Sequence, residues 1–371
     1  MRLLVNTLSI GSMSGQHVVY GFLRPFTRWM RPAHEIVILH YESEQPPTEI
    51  TEQGVATICL PDRLKHWAKR TIWEATRLPA LVRQQKADLV LTVSGAITPN
   101  CPVPQVILCQ NPWCYVPAAH QNLKERLKAR LQRVGYAKAY RNAAMMIYIS
   151  GHLRDLYRRG NPGVPETRSE VAWVGLNEDT YQSAMELRGV ERDPFSIVSV
   201  SAMARWKGAE TLVEAVAQLR KRQIPATLKL VGPWPDAGYE QEIRQQIEKH
   251  SLQDAVKILG KVSNEELHRL YATSQVFSLM SSCESFGIPA AEAMCFGTPI
   301  VSTDCCAIAE ICETAGQFGP VGDPAWTSNA LAAALTDKTA WSKWSSEALT
   351  RAQYLTWENC AQPFQCIPGL V

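Results

Sequence analysis

Short apolar runs recur along the chain, separated by stretches with helical spacing. In the first half "RLLVNTL", "EIVILHY", "ADLVLTV", "PQVILCQ" and "AMMIYIS" read as buried strands. A Gly- and Ser-rich loop and then "HVVYGFLRPFTRWM" lie between the first two, and a helical pattern covers 121–142. The second half repeats the alternation with "FSIVSVS", "ATLKLVG", "AVKILG", "QVFSLM" and "TPIVST". Helices are predicted near 209–222, 239–250, 264–273 and 289–296. Ser263 and Glu266 form a capping box at the start of the third.

Strand, helix and strand in steady succession predict a parallel sheet covered on both faces. Two such runs predict an α/β protein of two Rossmann-like, doubly wound domains. The 371 residues exceed the usual size of one hydrophobic core. Pro, Gly and polar residues gather in "RGNPGVPETRSEVAWVGLNEDT", so the expected division is 1–175 and 176–345. The tail, including "SKWSSEALTRAQYLTWENCAQPF", reads as helical, and 346–371 is expected to return to the first domain.

Composition narrows the picture. With 46% apolar and 20% charged residues the chain is globular rather than disordered. No stretch of 18 uninterrupted apolar residues suggests a spanning helix, and "MRLLVNTLSIGSMSGQ" is too weakly apolar for a secretory leader. The expectation is a cytoplasmic protein. Eleven cysteines without a Cys-x-x-Cys pair point to neither a disulfide framework nor a metal site. The net charge of +3 hides an asymmetry: residues 1–170 hold 22 Lys and Arg against 12 acids, leaving 16 against 23 for residues 171–371. A basic half commonly faces an anionic partner.

The segment "ESFGIPAAEAMCFGTPIVSTD", 284–304, follows the "QVFSLM" strand, so its start is a loop at a strand's carboxyl end, where ligands of such sheets bind. Pro289 suits the first helical position and Gly297 the residue beyond the last. Gly287 permits close backbone approach, and the helix amino end favours a phosphate or another oxygen-rich group. A carboxylate beside a phosphate would repel it, so Glu284 and Glu292 are better read as acceptors of hydroxyl groups on either side of it. Glu292, placed in the first turn, suits a ribose diol, and Glu284 a second sugar. An acid in that turn also complements the helix dipole with no ligand at all.

These residues resemble the Glu-x7-Glu motif of retaining glycosyltransferases of family 4, which have the GT-B fold of two Rossmann-like domains facing across a cleft. The match keeps Glu284, Phe286, Gly287, Glu292, Ala293, Met294, Gly297 and Pro299. "VKILGKVSNEELHRLYATSQVFSLMSS" and "SAMARWKGAETLVEAVAQL" resemble the flanking family segments. The resemblance implies that Glu284 contacts the donor sugar, Glu292 the ribose, and Lys207 with Gly208 the diphosphate. Phe286 and Ile288 belong to the same donor-binding loop, Val262 falls where the base is held by main chain, and Gly15 resembles the Gly-rich loop of the first domain.

Two positions depart from the family. Ala202 stands where an Arg is common, and Arg205 is the candidate replacement. The strand "PQVILCQNPW" offers Gln110 and Asn111 where many members carry a His. The implied reaction is metal-independent transfer of a sugar from a nucleotide-diphosphate sugar to a hydroxyl of a glycan or lipid-linked acceptor, with retained configuration and no other cofactor. A nucleotide-sugar epimerase of the same architecture and a non-catalytic nucleotide-sugar binder are the alternatives.

Residues 121–141 carry seven Lys or Arg and one acid, Glu125, while Leu123, Leu127, Leu131 and Val134 fall at helical spacing with cationic faces opposite. Lys124, Arg126, Lys128 and Arg130 are therefore candidates for contact with an anionic membrane or a charged acceptor on the inner membrane surface. An ordinary solvated helix packed on the sheet has the same pattern. "RLKHWAKRTIW" adds cations and aromatics, but no nucleic-acid motif accompanies them, and no nucleic-acid partner is expected.

Overall fold

The structure, a computed structural model, describes residues 1–370 except 12, 121 and 166. Two compact units divide the chain: Met1–Gly175 with Trp357–Val371, and Leu176–Thr356.

The first unit is a seven-stranded sheet of β1 (Arg2–Asn6), β2 (Glu35–Tyr41), β3 (Ala56–Leu60), β4 (Leu89–Thr92), β5 (Gln105–Cys109), β6 (Met145–Tyr148) and β7 (Ser169–Val171). Their order is β3-β2-β1-β4-β5-β6-β7, with parallel pairing throughout. The second unit contains β8 (Asp193–Val200), β9 (Thr227–Val231), β10 (Val256–Gly260), β11 (Ser274–Leu279), β12 (Ile300–Thr303) and β13 (Gly316–Gly319). It is ordered β10-β9-β8-β11-β12-β13, again with parallel pairs. Central strands such as β4, β5, β6 and β12 are buried along their whole length, which is why their sequences read as unbroken apolar runs. Both sheets reverse direction beside their first strand, giving the Rossmann-like, doubly wound arrangement expected from the alternation.

The "HVVYGFLRPFTRWM" stretch lies in one helix, Met13–Met30, whose buried Val18, Val19, Phe22, Leu23, Phe26 and Met30 recur with helical period. Gly15 is therefore in a helix's first turn and not in a glycine loop, the helix beginning at Met13 ahead of its first buried apolar residue, Val18. The tail also departs from expectation. Helix Lys338–Ala352 belongs wholly to the second unit, and only Trp357 onward joins the first. The physical reason is where the large apolar side chains lie. The rings of Phe22 and Phe364 are 4.9 Å apart, and Trp357 meets Phe22 edge-on at 5.2 Å. Gly21 and Gly175 make room for that indole, since a Cβ on either would stand 2.0 or 2.6 Å from it.

Helix Leu123–Asn142 covers the 121–142 prediction, with residue 121 outside the described residues. Its buried positions are Ala129, Tyr136, Ala139 and Tyr140, and Tyr136 stacks on Tyr157 at 5.3 Å. Leu123, Leu127, Leu131 and Val134 are 82%, 61%, 63% and 54% exposed. Small and aromatic residues fill the space against the sheet, so the leucine stripe looks outward. No helix among the described residues is long and apolar enough to cross a membrane.

Candidate functional site

In the second unit β8 and β11 are neighbours at the point where strand order reverses, the usual ligand position in such sheets. The chain leaves β8 through residues 201–204 into a short 3-10 turn, Arg205–Lys207, and enters helix Ala209–Lys221 at Gly208. Gly208 has φ +70°, and a Cβ there would lie 2.3 Å from the Met280 carbonyl oxygen. Only glycine allows the two loops so close together. Ser282 then donates its backbone N–H to the Trp206 carbonyl at 2.8 Å, and the Ser281 hydroxyl donates to the same oxygen at 3.1 Å. The loop after β11 is thus docked on the loop after β8.

This docking sets the Lys207 ammonium on the Glu284 carboxylate. Both side chains are largely withdrawn from water, at 16% and 13% exposure. Phe286, buried to 1% exposure, anchors the loop and contributes about 2 kcal/mol by that burial. Gly287, at φ +96°, caps helix Ile288–Cys295, and a Cβ on it would meet Ile308 Cγ1 at 2.6 Å. Pro289 is the second rather than the first helical residue, and Gly297 follows the helix end at φ +65°.

Glu292 is the fifth residue of that helix, and the first turn holds no acid, which removes the dipole explanation for it. Its carboxylate accepts a hydrogen bond from the Tyr271 hydroxyl at 3.0 Å. Burial pushes the carboxyl up to about 7; the Tyr271 hydrogen bond opposes this, and the charge of Asp179 adds to it. Tyr271 was not legible as a site residue, since nothing in "HRLYAT" marks its hydroxyl as a partner for an acid 21 positions later.

Arg205, the candidate replacement for the arginine absent at Ala202, is paired with acids of its own unit. Its guanidinium forks onto Glu242 with two bonds of 2.7 Å, meets Asp236 at 3.1 Å, and lies over the Tyr239 ring at 5.1 Å. Glu242 comes from helix Ala237–Lys249, nearly two turns after the capping Asp236, so two acids of one helix claim the charge. Those pairings raise the guanidinium pKa, Glu242 contributing most.

Val262 is half-buried just before helix Asn264–Thr273, whose cap Ser263 accepts the Glu266 N–H at 3.1 Å as the capping box requires. In the first unit Gln110 follows β5 and donates from Nε2 to the Val93 carbonyl at 3.4 Å. Asn111 accepts the Trp113 N–H at 2.9 Å, which makes it a turn-former. Lys124, Arg126 and Arg130 are exposed on helix Leu123–Asn142, and Lys128 lies over the Trp113 ring at 5.4 Å. Among the described residues no group of three His, Cys, Asp or Glu side chains could hold a metal ion.

Residues 185–350 match the family model described as "Glycosyl transferases group 1". The chain is similar to O-antigen chain mannosyltransferase B of Escherichia coli, 31% identical over 128 residues, 33% of this chain and 32% of that protein. It is also similar to the amylovoran biosynthesis glycosyltransferase AmsK of Erwinia amylovora, 29% identical over 181 residues, 47% and 42% of the two chains. The chain thus spans less than half the length of these relatives. Among solved structures it resembles Anabaena Alr3699/HepE in complex with UDP-glucose, with a TM-score of 0.71, 20% identity and 98% of both chains covered. The chain therefore has the two-domain, Rossmann-like GT-B fold, and the match to the glycosyl transferases group 1 model lies within its second unit.

Proposed function

We propose that the chain is a retaining, metal-independent glycosyltransferase that moves a sugar from a nucleoside-diphosphate sugar to a hydroxyl of a glycan or lipid-linked acceptor. The observation that carries this reading is the Lys207–Glu284 pair at the switch point between β8 and β11. One glycine-bounded site there offers a cation suited to a diphosphate and a carboxylate suited to sugar hydroxyls. Glu292 accepts the ribose diol, Gly208 and Gly287 admit the phosphates close to the main chain, and Ile288 and Val262 border the nucleoside. The glycosidic C–O bond to the diphosphate breaks as the acceptor oxygen bonds to the same face of the anomeric carbon. The acceptor's proton passes to the departing phosphate oxygen, and Lys207 offsets the charge that develops there. The roles of relatives in O-antigen and amylovoran assembly favour a cell-surface polysaccharide as the product.

The outward leucine stripe of helix Leu123–Asn142, flanked by Lys124, Arg126 and Arg130, supports a peripheral position on an anionic inner membrane surface, where a lipid-linked acceptor would be presented. A nucleotide-sugar binder without turnover is the second reading, favoured by the commitment of Arg205 to Glu242 and Asp236. Incubation with a panel of UDP- and GDP-sugars, with and without EDTA, tests both. Donor turnover unaffected by EDTA with an α-configured product from an α-configured donor supports the transferase. Binding without turnover supports the second reading, and an inverted product or EDTA-sensitive turnover sinks the retaining, metal-independent mechanism.

A further inference from the structure

The loops around Glu284 hold thiol chemistry that sugar transfer does not use. Cys283 precedes Glu284, and Cys305 and Cys306 follow β12. The Thr303 hydroxyl donates to the Ser281 carbonyl at 2.5 Å, and the sulfurs of Cys305 and Cys306 face the same oxygen at 3.7 and 3.8 Å. Residues 304–306 form a bend after β12, and it brings the two sulfurs onto one acceptor. Cys305 is exposed and Cys306 is buried behind it. The next residue, Ala307, donates its N–H to the Glu284 carbonyl at 3.5 Å, so the dithiol and the donor loop are joined through the main chain as well.

The two sulfurs are chemically unequal. The Cys306 thiol, donating to its neighbour, holds the Cys305 thiol below its ordinary value, at about 6, against the effect of partial burial. Burial does the reverse to Cys283, which is pushed up to about 12. Cys305 is therefore the accessible sulfur with thiolate character at neutral pH, and a second sulfur stands next to it.

We propose that Cys305 and Cys306 form a modification site that reacts with a low-molecular-weight disulfide, and that the oxidised pair weakens donor binding on the adjoining 281–287 loop. The coupling to donor binding rests on the function proposed above; the dithiol chemistry does not. The Cys305 thiolate attacks one sulfur of the small disulfide, whose S–S bond breaks and releases one thiolate. The Cys306 thiol gives its proton to solvent, and its sulfur displaces the second small thiolate as the Cys305–Cys306 bond closes. Two electrons pass from the cysteine pair to the small disulfide, which leaves as two thiols. The closed pair has no S–H, so the Ser281 carbonyl loses the Cys306 sulfur as a donor and keeps the Thr303 hydroxyl.

The test treats the reduced full chain with glutathione disulfide at neutral pH and reads intact mass and peptide maps. The expected result is loss of two hydrogens located at Cys305–Cys306 and reversed by dithiothreitol, while Cys306→Ser stops at a glutathione adduct on Cys305. Oxidation confined to the other exposed cysteines, Cys59 and Cys366, or a wild-type adduct on Cys305 that never closes, overturns the site. Calorimetric titration with UDP should then show about tenfold weaker binding by the oxidised protein, restored on reduction. Equal affinity in the two forms overturns the coupling. Absence of UDP binding by the reduced protein overturns the donor reading, while the mass measurement still decides the dithiol site.

Discussion

The Lys207 ammonium and the Glu284 carboxylate, 77 positions apart in sequence, rest on each other at the switch point of the second sheet. Removing either partner leaves the other charged and largely dehydrated. Lys207→Ala and Glu284→Ala should each lower stability by about 1–3 kcal/mol and kcat/KM by at least about tenfold. The double variant should lose less stability than the sum of the two, as urea melts in a double-mutant cycle would show. Strict additivity would refute the pairing.

Glu292 gives the protein a pH dependence of defined sign. Its carboxyl titrates near 7 in the folded chain against an ordinary 4.5, so between those values the folded state keeps a proton that the unfolded state has lost. Stability therefore falls as pH rises through this window, by about 2–3 kcal/mol for this group. Glu292→Gln removes the ionisation. Compared by urea melts at pH 5 and pH 8, the variant should gain on the wild type at the higher pH, and a difference that stays constant would exclude Glu292 as the source. At pH 8, where the group is ionised, the same variant should bind UDP about tenfold more weakly, because a diol offers two donors and the amide oxygen is a poorer acceptor than a carboxylate.

Arg205 offers a contrast. Its partners are Glu242 and Asp236, both substantially exposed, and such pairs contribute little. Arg205→Ala should leave kcat/KM within about threefold and cost no more than about 1 kcal/mol. A tenfold fall in kcat/KM with unchanged melting would restore Arg205 to the phosphate site.

Gly287 is required by conformation and by space together. In Gly287→Ala a residue at φ +96° must also fit a Cβ 2.6 Å from Ile308. The expected cost is about 1–3 kcal/mol, with weaker UDP binding because the donor loop is displaced. Wild-type melting and affinity would show that the loop adapts without strain.

The basic helix makes a prediction for lipid. Vesicles rich in phosphatidylglycerol should float the protein at low salt, and Leu127→Glu should reduce this as strongly as neutralising Lys124, Arg126 and Arg130. Flotation untouched by Leu127→Glu would leave the stripe without a role in lipid contact.

Much of this was visible in the residues, and the misses have identifiable causes. Buried strands such as "EIVILHY" announce themselves because both faces are covered, whereas β3 sits at an edge with alternating exposure, β7 has three residues, and β13 is the glycine-flanked "GQFG". Periodicity located the stripe of Leu123, Leu127, Leu131 and Val134 but not its direction. Packing decided that, through Ala129, Tyr136, Ala139 and Tyr140 on the other side. The motif placed Glu284, Phe286 and Gly287 on one loop. The partners Tyr271, Glu242 and Asp236 come from other helices, and pairing between elements leaves no local trace in sequence.

The crossing of the chain at Gly175 and again at Thr356 orders events during synthesis. The second unit is uninterrupted and has all its residues before Trp357 is added. The first unit, begun earliest, waits for Trp357 and Phe364 to fill the space beside Phe22, Gly21 and Gly175. The domain that starts first is thus closed last, by residues that are added only after the whole chain of the second unit has been made.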